Sequence, residues 1–590
     1  MTFATRPDLT GSFGMVSSTH WLASACGMAM LEAGGNAVDA AVAAAFTLQV
    51  VEPHLNGPGG DLVLLISERG GDPVVLGGQG PAPAGATIGE YRARGHAVVP
   101  GTGLLAAAVP GSVIAWLTLL RDSGTASVEQ VLSYAIHYAG YGYPVLPSMA
   151  RTIGAVADLL QTEWQPSAPI YLPGGRVPLA GEVLRNPVLA ATYRRLAAAA
   201  VGPSREAAVD AAITAWSQGF VAEAVDAFCR TPWLDTSGFR STGVLTGQDL
   251  ADWRPGYEAA VVTPFGPWTV AKAPAWTQGP AFLQQLRLLA GTELRPGTAA
   301  FVHQVVEGAK LAFADRDAWY GDVPDVPLDE LLSASYAENR RLLITDTASR
   351  EIRPGSPGGR TPRLPDFSTA PAGTAAGTGE PTVSRTGENR GDTCHVAVAD
   401  RWGTLVAATP SGGWLQSSPV IPELGFPLGT RLQMTTLQPG LPTSLTPGRR
   451  PRTTLSPTIV LREGRPEFAF GTPGGDQQDQ WQLNFFLQLV LGEADDGPGG
   501  PDLQRAVDAP MFHTTHFPSS FYPRHASPGQ IVVEERFGTE VIEQLRRRGH
   551  EVVVSAPWSL GRLCVVGRDR TGRLHAASDP RGRQGYAVGR

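Results

Sequence analysis

The chain of 590 residues has only two lysines, Lys272 and Lys310, so nearly all of its positive charge is arginine and lysine chemistry has few places to occur. It has no Gly-Lys-Ser/Thr step of a phosphate-binding loop, which excludes that route to nucleotide binding. Cysteine is sparse too. Cys26, Cys229, Cys394 and Cys564 are too scattered for a disulfide framework or a zinc site and read as reduced core thiols. No apolar stretch is long enough to cross a bilayer, since even 38–51 contains Asp39 and Gln49, and the start lacks the apolar run of a signal peptide. The expectation is a cytoplasmic protein with no membrane partner. A formal net charge of −7 gives no reason to expect nucleic acid as a partner. The 43% hydrophobic and 17% charged residues are ordinary for a soluble globular protein.

Ser17, Ser18 and Thr19 precede a helical pattern over 20–32 that stops at Gly34-Gly35. A second helix over 36–51 is apolar nearly all round, hence buried, and runs into a Gly-rich turn over 52–61 that lets backbone approach something closely. From 110 to about 350 the chain reads mostly helical, with helices over 128–140, 188–200, 207–228, 278–289 and 300–319. Residues 353–392 carry no period and are expected to form a disordered tail. Beyond it, strands are expected over 393–400, 403–409, 458–462, 467–470, 530–534, 551–555, 563–567 and 574–578, with helices over 480–491 and 539–548. This order suggests an α/β layered fold, an αββα sandwich.

The junction of the two regimes is Gly391-Asp392-Thr393-Cys394-His395. If the bond between Asp392 and Thr393 breaks, Thr393 gains an α-amine beside its own hydroxyl. A threonine hydroxyl is a weak nucleophile, but an amine with a reference pKa of about 7.7 to 8.0 accepts its proton near neutral pH. One residue then supplies nucleophile and base, and no cofactor or metal is required. Cys394 is the rival nucleophile. His395 reads as a core histidine, and His513 and His516, three apart, could meet on a helical turn but lack a third metal ligand.

Several blocks in order resemble the γ-glutamyltranspeptidase family of N-terminal nucleophile hydrolases. They are Met15–Ser18, Gly34–Ala45, Val51–His54 with Gly57, Gly59 and Gly60, Lys310–Arg316, Arg450–Thr458, Gly471–Gly475 and Ala577–Arg581. The resemblance implies self-cleavage between Asp392 and Thr393 into a large subunit, 1–392, and a small catalytic subunit, 393–590. It implies Thr393 as nucleophile, Ser411 as the hydroxyl that bonds it (a serine where threonine is usual), and Gly474 and Gly475 as oxyanion donors.

The match fails where the family grips a γ-glutamyl head. The carboxylate-binding arginine is absent from the corresponding Gln79-Gly80-Pro81-Ala82-Pro83, and the amine-binding positions fall on Gly413, Gln433 and Thr436, of which only the glutamine is kept. Thr453 and Thr454 stand in for a carboxylate-binding serine pair, with Arg450 and Arg452 beside them. Losing charged partners for an ionic group costs several kcal/mol, roughly 3 to 5 for a buried pair. The resemblance therefore implies a threonine-nucleophile amidohydrolase or acyltransferase acting on a small acyl or amide substrate without the γ-glutamyl zwitterion. The alternatives are a true γ-glutamyltransferase or glutathione hydrolase, an oxalyl-removing C–C bond hydrolase of specialised metabolism, and an unprocessed, non-catalytic relative.

Overall fold

In the strand Val396–Asp400 valine and alanine alternate, and successive side chains of a strand leave on opposite faces. The computed structural model, which describes residues 4–369, 393–492 and 502–590, shows what each face meets. Val396 and Val398 pack under the helices Trp21–Glu32 and Ala37–Val51, in one core with the helices Ser112–Ser123 and Val128–Tyr141. Ala397 and Ala399 turn inward and meet Ala271, Ile459, Ala469, Val566 and Ala576 of a second sheet. Short side chains at this interface let the two sheets pack closely.

Each sheet has seven strands among the described residues. One runs Tyr586–Gly589, Gly14–Ser18, Val396–Asp400, Leu405–Ser411, Asp61–Ser67, Val74–Gly77, Tyr257–Ala259, antiparallel throughout. The other runs Leu9–Gly11, Leu574–Ser578, Cys564–Arg568, Arg465–Gly471, Thr458–Arg462, Trp268–Lys272, Val261–Phe265. Its outer face, with Val270, Val460, Phe468 and Phe470, lies under the helices Gly279–Leu289, Ala299–Trp319 and Gln478–Leu491. The layers are αββα. Residues before and after position 393 contribute to both sheets, so neither half of the chain builds the sandwich alone.

The helix Ala37–Val51 shows how local chemistry fixes a functional boundary. Asn36 accepts from the Val38 and Asp39 amides, the Asp39 carboxylate accepts from the Asn36 amide, and Asp400 Oδ2 accepts from the Ala37 amide at 3.0 Å. Such a cap stabilises a helix by about 1 kcal/mol. The last contact also ties the helix start to the strand that follows Thr393, and the helix ends at Glu52.

Three expectations need correction. The helix over 207–228 is two helices, Arg205–Ser217 and Phe220–Cys229, because Gly219 takes a non-helical conformation between them. The helical region also contains the strands Tyr257–Ala259, Val261–Phe265 and Trp268–Lys272, too short and too Pro/Gly-punctuated to show a clear period. The tail expected from 353 is described as far as 369, and that stretch is packed: the Gly355 amide donates to Asp315 at 2.6 Å and the Ser368 amide to the Arg524 carbonyl at 3.1 Å. Aperiodic sequence here follows the surface through single hydrogen bonds rather than ladders. The rest of that expectation lies outside the described residues.

Candidate active site

Thr393 forms an isolated antiparallel bridge with Ser411, the last residue of the strand Leu405–Ser411, and the Cys394 amide donates to the Pro410 carbonyl at 3.0 Å. This register sets Thr393 Oγ1 3.2 Å from Ser411 Oγ, with both residues buried. Asp392, the other half of the expected cleavage site, lies outside the described residues.

The Gly-rich turn after Glu52 approaches this point closely. A Cβ on Gly57 would strike the Gly413 carbonyl, and one on Gly60 the Ser411 carbonyl, so both positions require glycine for contact with the bend after Ser411. Gly412 and Gly413 themselves have φ of 73° and 63°, the left-handed region. Asn56, in a parallel bridge with Gly412, is buried, and neither atom of its carboxamide has a hydrogen-bond partner among the described residues. Behind Ser411, Asp61 forms a buried ion pair with Arg431, whose Nη2 is 3.1 Å from Oδ1. Burial pushes the Asp61 carboxyl up, and Arg431 opposes that shift.

Cys394 points away from solvent and donates its thiol to Glu52 Oε2 at 3.0 Å. Thr19 Oγ1 donates to the same oxygen at 2.8 Å and Gln584 Nε2 to the other. Burial, then the Glu52 charge, raises the thiol well above its usual range. A thiol so placed is a poor source of thiolate. His395 accepts or donates at Nδ1 with Thr409 Oγ1, 3.0 Å away, and burial lowers its pKa to about 3. It is a neutral core residue at physiological pH.

The second sheet brings up the glycine turn. Gly471, at the end of Arg465–Gly471, has no room for a Cβ because the His395 ring occupies that space. Three residues on, Gly474 has φ of 130° and lies against the Trp481 ring, and Gly475 has φ of 51°. Gln278 Nε2 donates to the Gly475 carbonyl at 3.1 Å. Asp476 accepts from the Ser520 amide at 2.8 Å and the Ser520 hydroxyl at 2.6 Å, and pairs with the buried Arg316. The turn is thus clamped on both sides ahead of the helix Gln478–Leu491. Backbone amides at such a turn and helix start form a fixed positive end.

The remaining expected residues differ in what they already hold. Gln433 Nε2 donates to the Gly101 carbonyl at 3.2 Å and to Thr430 Oγ1 at 2.9 Å, while its carbonyl oxygen has no partner among the described residues. The same is true of Gln79 Oε1 and Thr454 Oγ1. Thr453 Oγ1 accepts from the Leu455 amide at 3.3 Å. Arg450 is paired with Glu258 and, at 2.8 Å, with Asp322, and Arg452 with Asp317 at 3.0 Å. Both arginines therefore already hold carboxylate partners, two for Arg450 and one, shared with Arg316, for Arg452.

His513 and His516 do not share a helical turn. His513 is in the strand Phe512–Thr514 with its ring edge-on to Trp481, and His516 uses both nitrogens, on the Glu351 carbonyl and the Gly529 amide. A different trio, His303, Glu307 and His550, has ligand atoms within 4.8 Å of one another, but Lys310 already sits 2.6 Å from the Glu307 carboxylate. Glu52 and Asn56, which both lie in the 52–61 turn, are not among the residues expected to form the site. The one local signal is at Asn56, a polar residue directly before a glycine that has no room for a side chain.

Two antiparallel sheets between helical layers, with a threonine heading a central strand, define the N-terminal nucleophile hydrolase class. The chain belongs to the gamma-glutamyltranspeptidase family, whose model matches residues 23–589. It is 30% identical to the oxamate amidohydrolase proenzyme of Klebsiella pneumoniae over 98% of each chain. A solved structure named LmbA2991HD is 58% identical, covers all of both chains and superposes with a TM-score of 0.95. The cephalosporin acylase of Bacillus halodurans is 28% identical with a TM-score of 0.82, covering all of this chain and 97% of that one. This chain is accordingly an N-terminal nucleophile amidohydrolase or acyltransferase, of a family whose members include self-processing proenzymes. Among the described residues no helix is long and apolar enough to cross a membrane.

Proposed function

We propose that the protein cuts itself between Asp392 and Thr393 into subunits 1–392 and 393–590, and then hydrolyses an amide or related acyl bond of a donor that lacks the γ-glutamyl zwitterion. Thr393 Oγ attacks the scissile carbonyl while its α-amine takes the hydroxyl proton. Ser411 holds the hydroxyl, and the Gly474 and Gly475 amides hold the oxyanion. The tetrahedral centre collapses to an ester as the leaving amine takes the proton, and water then cleaves the ester to release the acid. Gln433, Thr453 and Thr454 contact the acyl group, with Arg450 and Arg452 beside them as paired charges.

The observation that supports the substrate reading is that the unpartnered polar atoms at the expected glutamyl-head positions are neutral: the carbonyl oxygens of Gln79 and Gln433 and the hydroxyl of Thr454, with the Asn56 carboxamide beside the Gly412 bend. An ammonium head needs an acid, and Gly413 and Thr436 supply none. The relatives named an oxamate amidohydrolase and a cephalosporin acylase suggest the amide donors to try. The experiment compares kcat/KM for γ-glutamyl-p-nitroanilide, 4-nitrooxanilic acid and p-nitroacetanilide. The γ-glutamyl compound is expected to be the poorest; its being the best would return the reading to a glutathione hydrolase. We further propose a cytoplasmic location, which fractionation of cells that express the full chain tests.

A further inference from the structure

Arg316, Arg431, Arg452 and Arg581 are buried, and each is paired with a carboxylate. Arg524 is different. Its Nη2 donates to the Met434 and Thr435 carbonyls at 2.8 and 2.9 Å, and no carboxylate pairs with it among the described residues. A guanidinium has five N–H donors, so Nε and Nη1 remain to be engaged. The two carbonyls it holds lie between Gln433 and Thr436, the segment in which the expected amine-binding acid is missing. Met434 packs with Trp414 and Phe521, and Trp414 follows the Gly412-Gly413 bend that begins at Ser411. The charges felt by Arg524 are those of Arg452, Asp317, Arg316 and Asp476, and Asp476 directly follows Gly475. Ser520, four residues before Arg524, holds Asp476 with its amide and hydroxyl, so the loop that carries Arg524 joins the Gln433 segment to the glycine turn.

Its backbone is unusual as well. Arg524 has φ of 59°, a conformation that non-glycine residues adopt at a cost and that surrounding contacts must hold. Those contacts are present. The Arg524 carbonyl accepts from the Ser368 amide at 3.1 Å, the Ala526 amide donates to the Ser368 carbonyl at 2.9 Å, and the Arg524 amide donates to the Phe521 carbonyl at 2.7 Å. Two carboxylates balance three guanidinium groups here: Asp476 holds Arg316 and Ser520, Asp317 Oδ1 holds Arg316 and Arg452, and neither carboxylate pairs with Arg524 among the described residues. The local excess of guanidinium over carboxylate suits an anion.

We infer that Arg524 is the specificity-determining residue for the acyl donor, taking a carboxylate of the donor on the guanidinium edge that the Met434 and Thr435 carbonyls leave open. The ligand class is a short acid with a second acyl carbon and no α-amino group. This inference rests on the functional reading above. It also explains how a site without the expected arginine at position 79 grips an acid.

The test uses the processed protein with 4-nitrooxanilic acid, which carries a carboxylate, and p-nitroacetanilide, which does not. Arg524→Asn tolerates the left-handed backbone, and Arg524→Lys keeps the charge without the planar fork. Arg524→Asn is expected to lower kcat/KM for the oxanilic acid by about ten- to a hundredfold, mostly through KM, with p-nitroacetanilide within about threefold of wild type. Arg524→Lys is expected to fall between, and it carries the comparison if the Asn variant does not fold. Sodium oxamate should compete with p-nitroacetanilide in the wild type and lose that competition in both variants. Equal losses on both anilides, undiminished oxanilic acid turnover, or no inhibition of the wild type by oxamate would overturn the assignment. Preference of the wild type for γ-glutamyl-p-nitroanilide would instead overturn the functional reading, whatever the variants do.

Discussion

Cys394 donates its thiol to Glu52 Oε2 at 3.0 Å, so the residue after the proposed nucleophile is tied to the end of the helix Ala37–Val51. Glu52 is itself buried, with its carboxyl raised by burial against the hydrogen bonds of Cys394, Thr19 and Gln584. The contact positions Thr393 from one side while Ser411 does so from the other.

Cys394→Ser keeps a donor to Glu52 and is expected to remain self-cleaving, with activity within a few-fold of wild type. Cys394→Ala removes the donor and is expected to cost about 1 to 2 kcal/mol of stability in urea unfolding. Abolished turnover in the folded serine variant would make the thiol the nucleophile.

Gly474→Ala places a Cβ in the Trp481 ring at φ of 130°. The turn must shift to accept it, and the loss of one aligned oxyanion donor costs roughly a hundred- to a thousandfold in kcat. Both self-cleavage and turnover are expected to fall, the first read as the fraction of uncut chain on a denaturing gel. Normal rates in this variant would remove the turn from the chemistry.

Arg452 and Arg316 share Asp317, and Arg316 also holds Asp476 at the glycine turn. Asp317→Asn leaves buried guanidinium groups short of a partner and is expected to cost about 3 kcal/mol or more. Arg452→Lys is expected to change stability more than KM. A rise in KM with unchanged unfolding would show that Arg452 contacts substrate directly.

His513 is buried with no partner on either ring nitrogen among the described residues, and burial lowers its pKa to about 3. Its folded pKa lies below its unfolded value near 6.5, so its contribution to stability is present above pH 6.5 and is lost as pH falls toward 3. His513→Phe keeps the edge-on contact with Trp481 without a group to protonate. Its stability is expected to match or exceed wild type at pH 7 and to decline less between pH 6.5 and 4, as measured by denaturant unfolding.

Much of this arrangement was legible in the sequence because it rests on short-range chemistry. The alternation in 396–400 gave the strand, the Asn36 and Asp39 pattern gave the helix start, and the glycines at 57, 59 and 60 announced a close backbone approach. The residues that went unread act over long separations. Glu52 meets Cys394 across 342 positions, Asp61 meets Arg431 across 370, and no local pattern marks either pair. Arg524 was invisible for the same reason, since its meaning depends on which carboxylates its neighbours have already taken.

Every step proposed for Thr393 requires it to become an N-terminus. Mass analysis and N-terminal sequencing of the purified full chain test that directly: two fragments are expected, the smaller beginning Thr393-Cys394-His395, while Thr393→Ala stays as one uncut, inactive chain. A single uncut wild-type chain with full activity, or a small fragment beginning at any other residue, would contradict it.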